Sequence, residues 1–223
     1  MLPDIVVTAA PCHGNKPHRE KMVDLASQET SKRLVDEIDR ARAQEYALLA
    51  SLLSRSPDSR LISALSRLQE DASPIGRAHM SLAEAAARAS EESVAREYFD
   101  LFAGLGAEAL LPYSSHYLAG GLYGRPLAQL RLSLQRLGIE RSPERSEPED
   151  HAAILCEIMA GLAGGDIAAP AGADRDFFVA HLSPWIRRFF VDLERARSAD
   201  FYACVGAFGR TFVDIESEAF AHT

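Results

Sequence analysis

Five consecutive residues, Glu147-Pro148-Glu149-Asp150-His151, put three carboxylates and an imidazole into one short stretch. Clustered carboxylates hold guanidinium groups through charge-assisted, bidentate hydrogen bonds. Asp150 and His151 could also be read as a general-base pair, but adjacent residues on a helix do not face one another. No nucleophile or oxyanion donor stands nearby in the sequence. Proline and acidic residues also suit the first turn of a helix on local grounds alone. The pattern favours binding over catalysis.

A second segment, Pro112-Tyr113-Ser114-Ser115-His116-Tyr117, gathers two tyrosines, an imidazole and two hydroxyls in six residues. Aromatic, hydroxyl-rich loops suit peptide recognition, although simple loop packing explains them as well. Enzyme motifs are missing: the chain has no GxxxxGK[ST] phosphate loop, no GxGxxG after a strand, no HExxH and no GxSxG. The seven histidines never fall four apart, and Cys12, His13 and His18 make only three ligands where a structural metal site usually closes with four. Neither a metal nor another cofactor is expected. Cys12, Cys156 and Cys204 are odd in number and far apart, which suits a reducing compartment.

The elements that must position these residues read as helices. Ser31 to Arg55 carries Leu34, Ile38, Ala41, Tyr46, Leu49 and Leu53 near a 3.6-residue period. Ser56-Pro57, Ser73-Pro74 and Ser183-Pro184 each precede an amphipathic run, with serine as N-cap and proline as first helical residue. They predict helices over 57–70, 74–89 and 184–197. Further helices are expected from Ser90 to Phe102 before Gly104 and Gly106, and from Pro126 to Gly138. Ser146 to Glu149 has the spacing of a capping box and predicts a helix from Pro148 to Ala163. Ser198 caps a last helix with Phe201, Tyr202, Val205, Phe208, Phe212 and Ile215 on one broad face. The aromatics of Tyr98 to Phe102 and of Trp185, Phe189 and Phe190 read as core.

No segment alternates with period two, so the fold class is all-α. Residues 1–30 read as a flexible arm before a helical domain over 31–223. The stretch Ile139 to Glu147, including Ser142-Pro143, reads as a hinge between a larger N-terminal and a smaller C-terminal part, and Asp166 to Ala173 as an exposed loop. A formal charge of −8 disfavours nucleic acid as a partner. No apolar run approaches the ~20 residues of a membrane helix, and the N-terminal residues lack the basic segment of an export signal. A cytoplasmic location is expected.

Taken in order, Tyr98 to Phe102, Pro112 to Tyr117, Glu147 to His151, Phe177-Phe178 with His181-Leu182 and Trp185, and Phe201-Tyr202 resemble the TorD/DmsD family of redox-enzyme maturation chaperones, related to the NarJ type. The resemblance runs over roughly residues 40 to 215. It implies an all-helical chaperone that is not itself an enzyme. Such a chaperone binds the twin-arginine leader and the empty body of a molybdopterin oxidoreductase, assists molybdenum cofactor insertion and delays export. The family's leader-binding positions carry over to Asp150 and His151, with Pro148 framing them, and to Tyr113 with Ser115. Some members have tryptophan where Tyr113 stands, and a Pro-Pro pair where this chain has Leu111-Pro112.

A leader that is cationic and then apolar calls for carboxylates beside an aromatic groove. Asp150, Glu147 and Glu149 are therefore expected to meet the cationic end, with Tyr113, Tyr117 and His116 lining the groove and His151 responsive to pH near neutrality. Two other functions fit the sequence less fully. One is a leader-independent assembly factor for a cytoplasmic formate dehydrogenase or nitrate reductase; the other is a small GTP-binding hydrolase using Asp150 and His151. A monomer and a dimer exchanged across the 139–147 hinge are both compatible with the chain.

Overall fold

The computed structural model of the protein describes residues 37–68, 71–103, 109–141 and 147–221. The expected arm over 1–30, the group Cys12, His13 and His18, the stop at Gly104 and Gly106, the Ser142-Pro143 step and Ser146 lie outside the described residues, as does most of the expected hinge.

Among the described residues the secondary structure is helical, with no strand and one isolated antiparallel bridge. The all-α expectation holds. In chain order the helices are α1 (Glu37–Ser54), α2 (Ser59–Leu65), α3 (Pro74–Arg88), α4 (Glu91–Tyr98), α5 (Ser114–Ala119), α6 (Arg125–Arg136), α7 (Ala152–Gly164), α8 (Ala173–Phe177), α9 (Ile186–Arg195) and α10 (Phe201–Ala221). Two π turns, Phe99–Ala103 and Phe178–Leu182, prolong α4 and α8.

Local signals place some ends and miss others. Ser73 caps α3 as expected, its hydroxyl accepting the Gly76 N–H at 3.0 Å with Pro74 in the first turn. For α2 the cap is Asp58, which accepts the Leu61 N–H at 2.8 Å, so the helix starts two residues after Pro57 and ends at Leu65 rather than 70. For α9, Ser183 closes the preceding π turn by donating its N–H to Phe178 C=O. The expected start at Pro184 thus moves to Ile186.

The last helix is capped from a distance. Instead of Ser198, the Glu97 carboxylate of α4 accepts the N–H groups of Asp200, Phe201 and Tyr202 at 2.9, 3.2 and 2.6 Å. Three orphan donors at the positive end of the helix dipole meet one anion. Glu97→Ala should lower stability by about 1–2 kcal/mol, as the loss of a cap does. Glu97→Gln, which keeps an acceptor, should lower it less. A shift in the urea midpoint at unchanged slope would read both.

The core is continuous from end to end. In α7, ten residues from Ala152 to Ala163 are buried, as befits a helix that is apolar all round. It packs against α1, while α10 packs against α9 and α3. Residues on both sides of 139–147 therefore share one hydrophobic cluster, with Ile139 itself a member. Arg42 adds a polar tie between α1, α8 and α10 through Asp174 and Glu216. Of the loop expected over Asp166 to Ala173, Ile167 is buried, Ala169 and Ala173 are half-buried against the core with Ala173 opening α8, and the rest is exposed. No described helix is long and apolar enough to cross a membrane.

Candidate functional site

The sequence motifs at 112–117 and 147–151 meet in space. Tyr113 and His151 form the isolated antiparallel bridge. It is framed by Ser114 N–H to Asp150 C=O at 3.0 Å and Ala152 N–H to Pro112 C=O at 2.7 Å. Two short extended segments thus pair, each just before a helix, so α5 and α7 leave from one seam. The Tyr113 and His151 rings meet edge-on at 5.0 Å.

The helix expected from Pro148 begins instead at Ala152, a correction with a physical reason. Residues 147–151 are engaged in tertiary bonding that a helix would not permit. His151 is the N-cap of α7, and its Nδ1 accepts the Ala153 N–H at 3.1 Å. In that bond Nδ1 is the acceptor, so it carries no proton there. Asp150 serves α5: its Oδ2 accepts the Ser115 N–H at 2.8 Å and lies 3.3 Å from Ser114 Oγ. No side chain of α5 caps that end from within, so Asp150 supplies the anion from 35 residues away. Its Oδ1 has no hydrogen-bond partner among the described residues.

The three carboxylates are not equivalent. Asp150 is 0% exposed. Glu149 is buried too and is held bidentately by Arg131 of α6, with contacts of 2.8 to 3.2 Å. Burial would raise the Glu149 carboxyl, but the Arg131 hydrogen bonds, a backbone hydrogen bond and the charges of Arg131 and Arg141 together outweigh it and keep it below the ordinary range. Glu147 is exposed, accepting a hydrogen bond from the Tyr113 hydroxyl. Burial and then Glu147 push that phenol well above its usual value. Of the expected acidic cluster, then, one carboxylate faces solvent.

The expected aromatic wall divides similarly. Tyr113 and His116 are half-buried, whereas Tyr117 is 9% exposed. The Tyr117 hydroxyl donates to Asp192 at 3.0 Å, its ring packs on Trp185 and Phe189, and the Arg188 guanidinium lies 4.8 Å over it. Tyr117 joins α5 to α9 rather than lining an open surface. Ser115 is fully buried, and its Oγ accepts the Tyr123 N–H at 3.1 Å. Pro148 is half-buried beside Glu149.

Sequence reasoning missed Arg131 and Tyr123. Arg131 carried no local signal, since its partner lies 18 residues on. Tyr123 was detectable only as an aromatic between Gly120-Gly121 and Gly124. Among the described residues no group of three or more His, Cys, Asp or Glu side chains is placed to hold a metal ion.

Comparison with known proteins finds relatives over most of the chain. The family model described as nitrate reductase delta subunit matches residues 68–191. The chaperone protein TorD of Vibrio cholerae serotype O1 is 30% identical over 196 residues, covering 78% of this chain and 87% of that protein. The chaperone protein TorD of Aliivibrio fischeri is 29% identical over 131 residues, covering 54% and 60%. A solved structure titled as a redox enzyme maturation protein from Archaeoglobus fulgidus aligns with a TM-score of 0.49 at 18% identity, covering 78% and 93%. The matched span includes both halves of the seam, and the chain belongs to the nitrate reductase delta subunit family, with TorD chaperones among its relatives.

Proposed function

We propose that this protein is a cytoplasmic maturation chaperone for a molybdopterin oxidoreductase, and that it holds the client's twin-arginine leader at the Tyr113–His151 seam. The observation that carries the proposal is the pairing itself. Two motifs about 35 residues apart, each rich in groups suited to a cationic, partly apolar peptide, are hydrogen-bonded into one surface. Kinship with TorD chaperones gives the class of function. The seam supports the mode of binding.

Glu147 is the carboxylate open to an incoming guanidinium, and accepting a second donor beside Tyr113 is within its capacity. Tyr113, bonded to Glu147, and His116 one turn further along α5 are both half-buried and leave part of each ring for contact. Holding a leader before export places the chaperone on the cytoplasmic side, and loading of the client's molybdenum cofactor would proceed while the leader is held.

A synthetic peptide with two consecutive arginines followed by an apolar run of about 12 residues, the length of a leader's hydrophobic region, tests the idea. Wild type should bind it, and should bind the version with both arginines changed to glutamine about tenfold more weakly, the scale of one charge-assisted contact. Glu147→Gln should narrow that gap. Indistinguishable binding of the two peptides, or no binding of either, would sink the leader-binding reading.

A further inference from the structure

Behind the seam lies a chain of hydrogen bonds that ends at the surface. The buried Asp150 Oδ2 accepts the Ser115 N–H, and the buried Ser115 Oγ accepts the Tyr123 N–H. Tyr123 is the one non-glycine among the described residues with positive φ, at 69°. For a residue with a Cβ this conformation costs about 1–2 kcal/mol, so something must hold it. Gly120 and Gly124 on either side also have positive φ, and a Cβ at either would meet nothing within 4 Å, so the glycines let the turn form without packing around it.

What this loop displays is apolar. Leu118 is 46%, Leu122 42% and Tyr123 58% exposed. The first turn of α5 thus has two sides: Tyr113 meets the exposed Glu147 on one, and Ser115 fixes the apolar loop on the other. A surface carboxylate and exposed apolar side chains are thus both tied to one short segment, residues 113–115, and together they complement a peptide that is cationic and then apolar.

We infer that Asp150 is a positioning residue, acting through Ser115 to hold Leu118, Leu122 and Tyr123 as the contact for the apolar stretch that follows the leader's arginines. This rests on the leader-binding reading above. It differs from it in assigning Asp150 no contact with the arginines. The burial of Asp150 supports that, since an incoming guanidinium would first have to open the packed seam to reach its unpartnered oxygen.

The arginine and glutamine peptides described above separate the two ideas. If wild type does not favour the arginine peptide, the leader-binding reading fails and this inference goes with it. If it does, the variants decide. Asp150→Ala, Ser115→Ala and Tyr123→Ala should each weaken the arginine peptide about tenfold, and Asp150→Ala/Tyr123→Ala no more than the worse single change, because Tyr123→Ala removes a side chain that Asp150→Ala has already left unheld. The loss should be equal for the glutamine peptide, as no arginine contact is removed. Asp150→Asn, whose amide oxygen still accepts from Ser115, should restore most of what alanine loses.

Ser115→Ala keeps the α5 cap and removes only the link to Tyr123, so it remains informative if Asp150→Ala fails to fold. The inference is overturned if Asp150→Asn is as weak as Asp150→Ala and both lose only the preference for arginine. It is also overturned if Ser115→Ala and Tyr123→Ala bind like wild type.

Discussion

Truncating Glu216 to alanine is expected to lower the unfolding free energy by about 3 kcal/mol, the low end of the cost of removing one partner from a buried ion pair, because Arg42 keeps two other carboxylates. Glu216 is 1% exposed and accepts from Arg42 Nε at 2.8 Å, Arg42 Nη2 at 2.9 Å and Tyr46 Oη at 2.9 Å. Arg42 also reaches Asp39 at 2.8 Å and Asp174 at 3.0 Å, and stacks 4.9 Å over the Phe220 ring. One guanidinium therefore ties three helices together. Burial would lower the Arg42 pKa, but hydrogen bonds and charge from Glu216, then from Asp174, drive it above its ordinary value. The guanidinium stays charged, so removing Glu216 leaves it only Asp39 and Asp174 and takes away the acceptor of the Tyr46 hydroxyl.

Companion variants apportion the effect. Tyr46→Phe removes a single hydrogen bond and should cost about 1 kcal/mol. Glu92→Ala, at an ion pair with Arg96 that is open to water, should stay within about 0.5 kcal/mol of wild type. Urea unfolding at constant slope measures all three. A Glu216→Ala loss no larger than that of Glu92→Ala would show that solvent reaches the cluster and replaces the missing carboxylate.

The class of the fold was legible because helical periodicity is a local property. Leu127, Leu130 and Leu134 on α6 and Tyr46, Leu49 and Leu53 on α1 are all buried as their spacing predicts. Ile38 has the same spacing and is 71% exposed. Periodicity marks a face of a helix, not how far its partner extends along it. The aromatics of α9 and α10 are core for the same local reason.

The ends of helices were harder, because their acceptors come from elsewhere in the chain. Glu97 caps α10 across 103 residues, and Asp150 caps α5 across 35. No window short enough for a capping rule contains either pair. The Ser146 to Glu149 spacing has the form of a capping box, yet Glu147 is bonded to Tyr113, Glu149 to Arg131 and the following Asp150 to the Ser115 amide of α5. The candidate site was therefore recognisable by composition, while the division of labour within it was not. Which carboxylate faces solvent depends on where Arg131 stands, and that is a tertiary fact.

Gly206→Ala is expected to destabilise by about 2 kcal/mol, although alanine is the better helix former by nearly 1 kcal/mol. The reason lies where α10 crosses α9. A Cβ built on Gly206 would sit 2.4 Å from the Glu194 amide nitrogen, 2.8 Å from its Cα and 2.9 Å from the Phe190 carbonyl oxygen. Those are backbone atoms and cannot rotate aside, so α9 as a whole would have to move. One turn on, a Cβ at Gly209 would meet the Phe190 ring at 2.3 Å, and that ring is 0% exposed with no free space to turn into. The two glycines let the helices approach backbone to backbone, and Phe190 fills the remaining gap. Shifting α9 would also disturb Arg188 and Asp192, which hold Tyr117 behind the seam. Loss of stability in Gly206→Ala should therefore be accompanied by weaker binding of the arginine peptide even below the unfolding transition. Gly121→Ala, where a Cβ would meet nothing within 4 Å, is the control and should leave stability within about 0.5 kcal/mol of wild type. If Gly206→Ala proves as stable as Gly121→Ala, α9 and α10 are not packed at this distance, and the support assigned to Tyr117 from α9 falls with it.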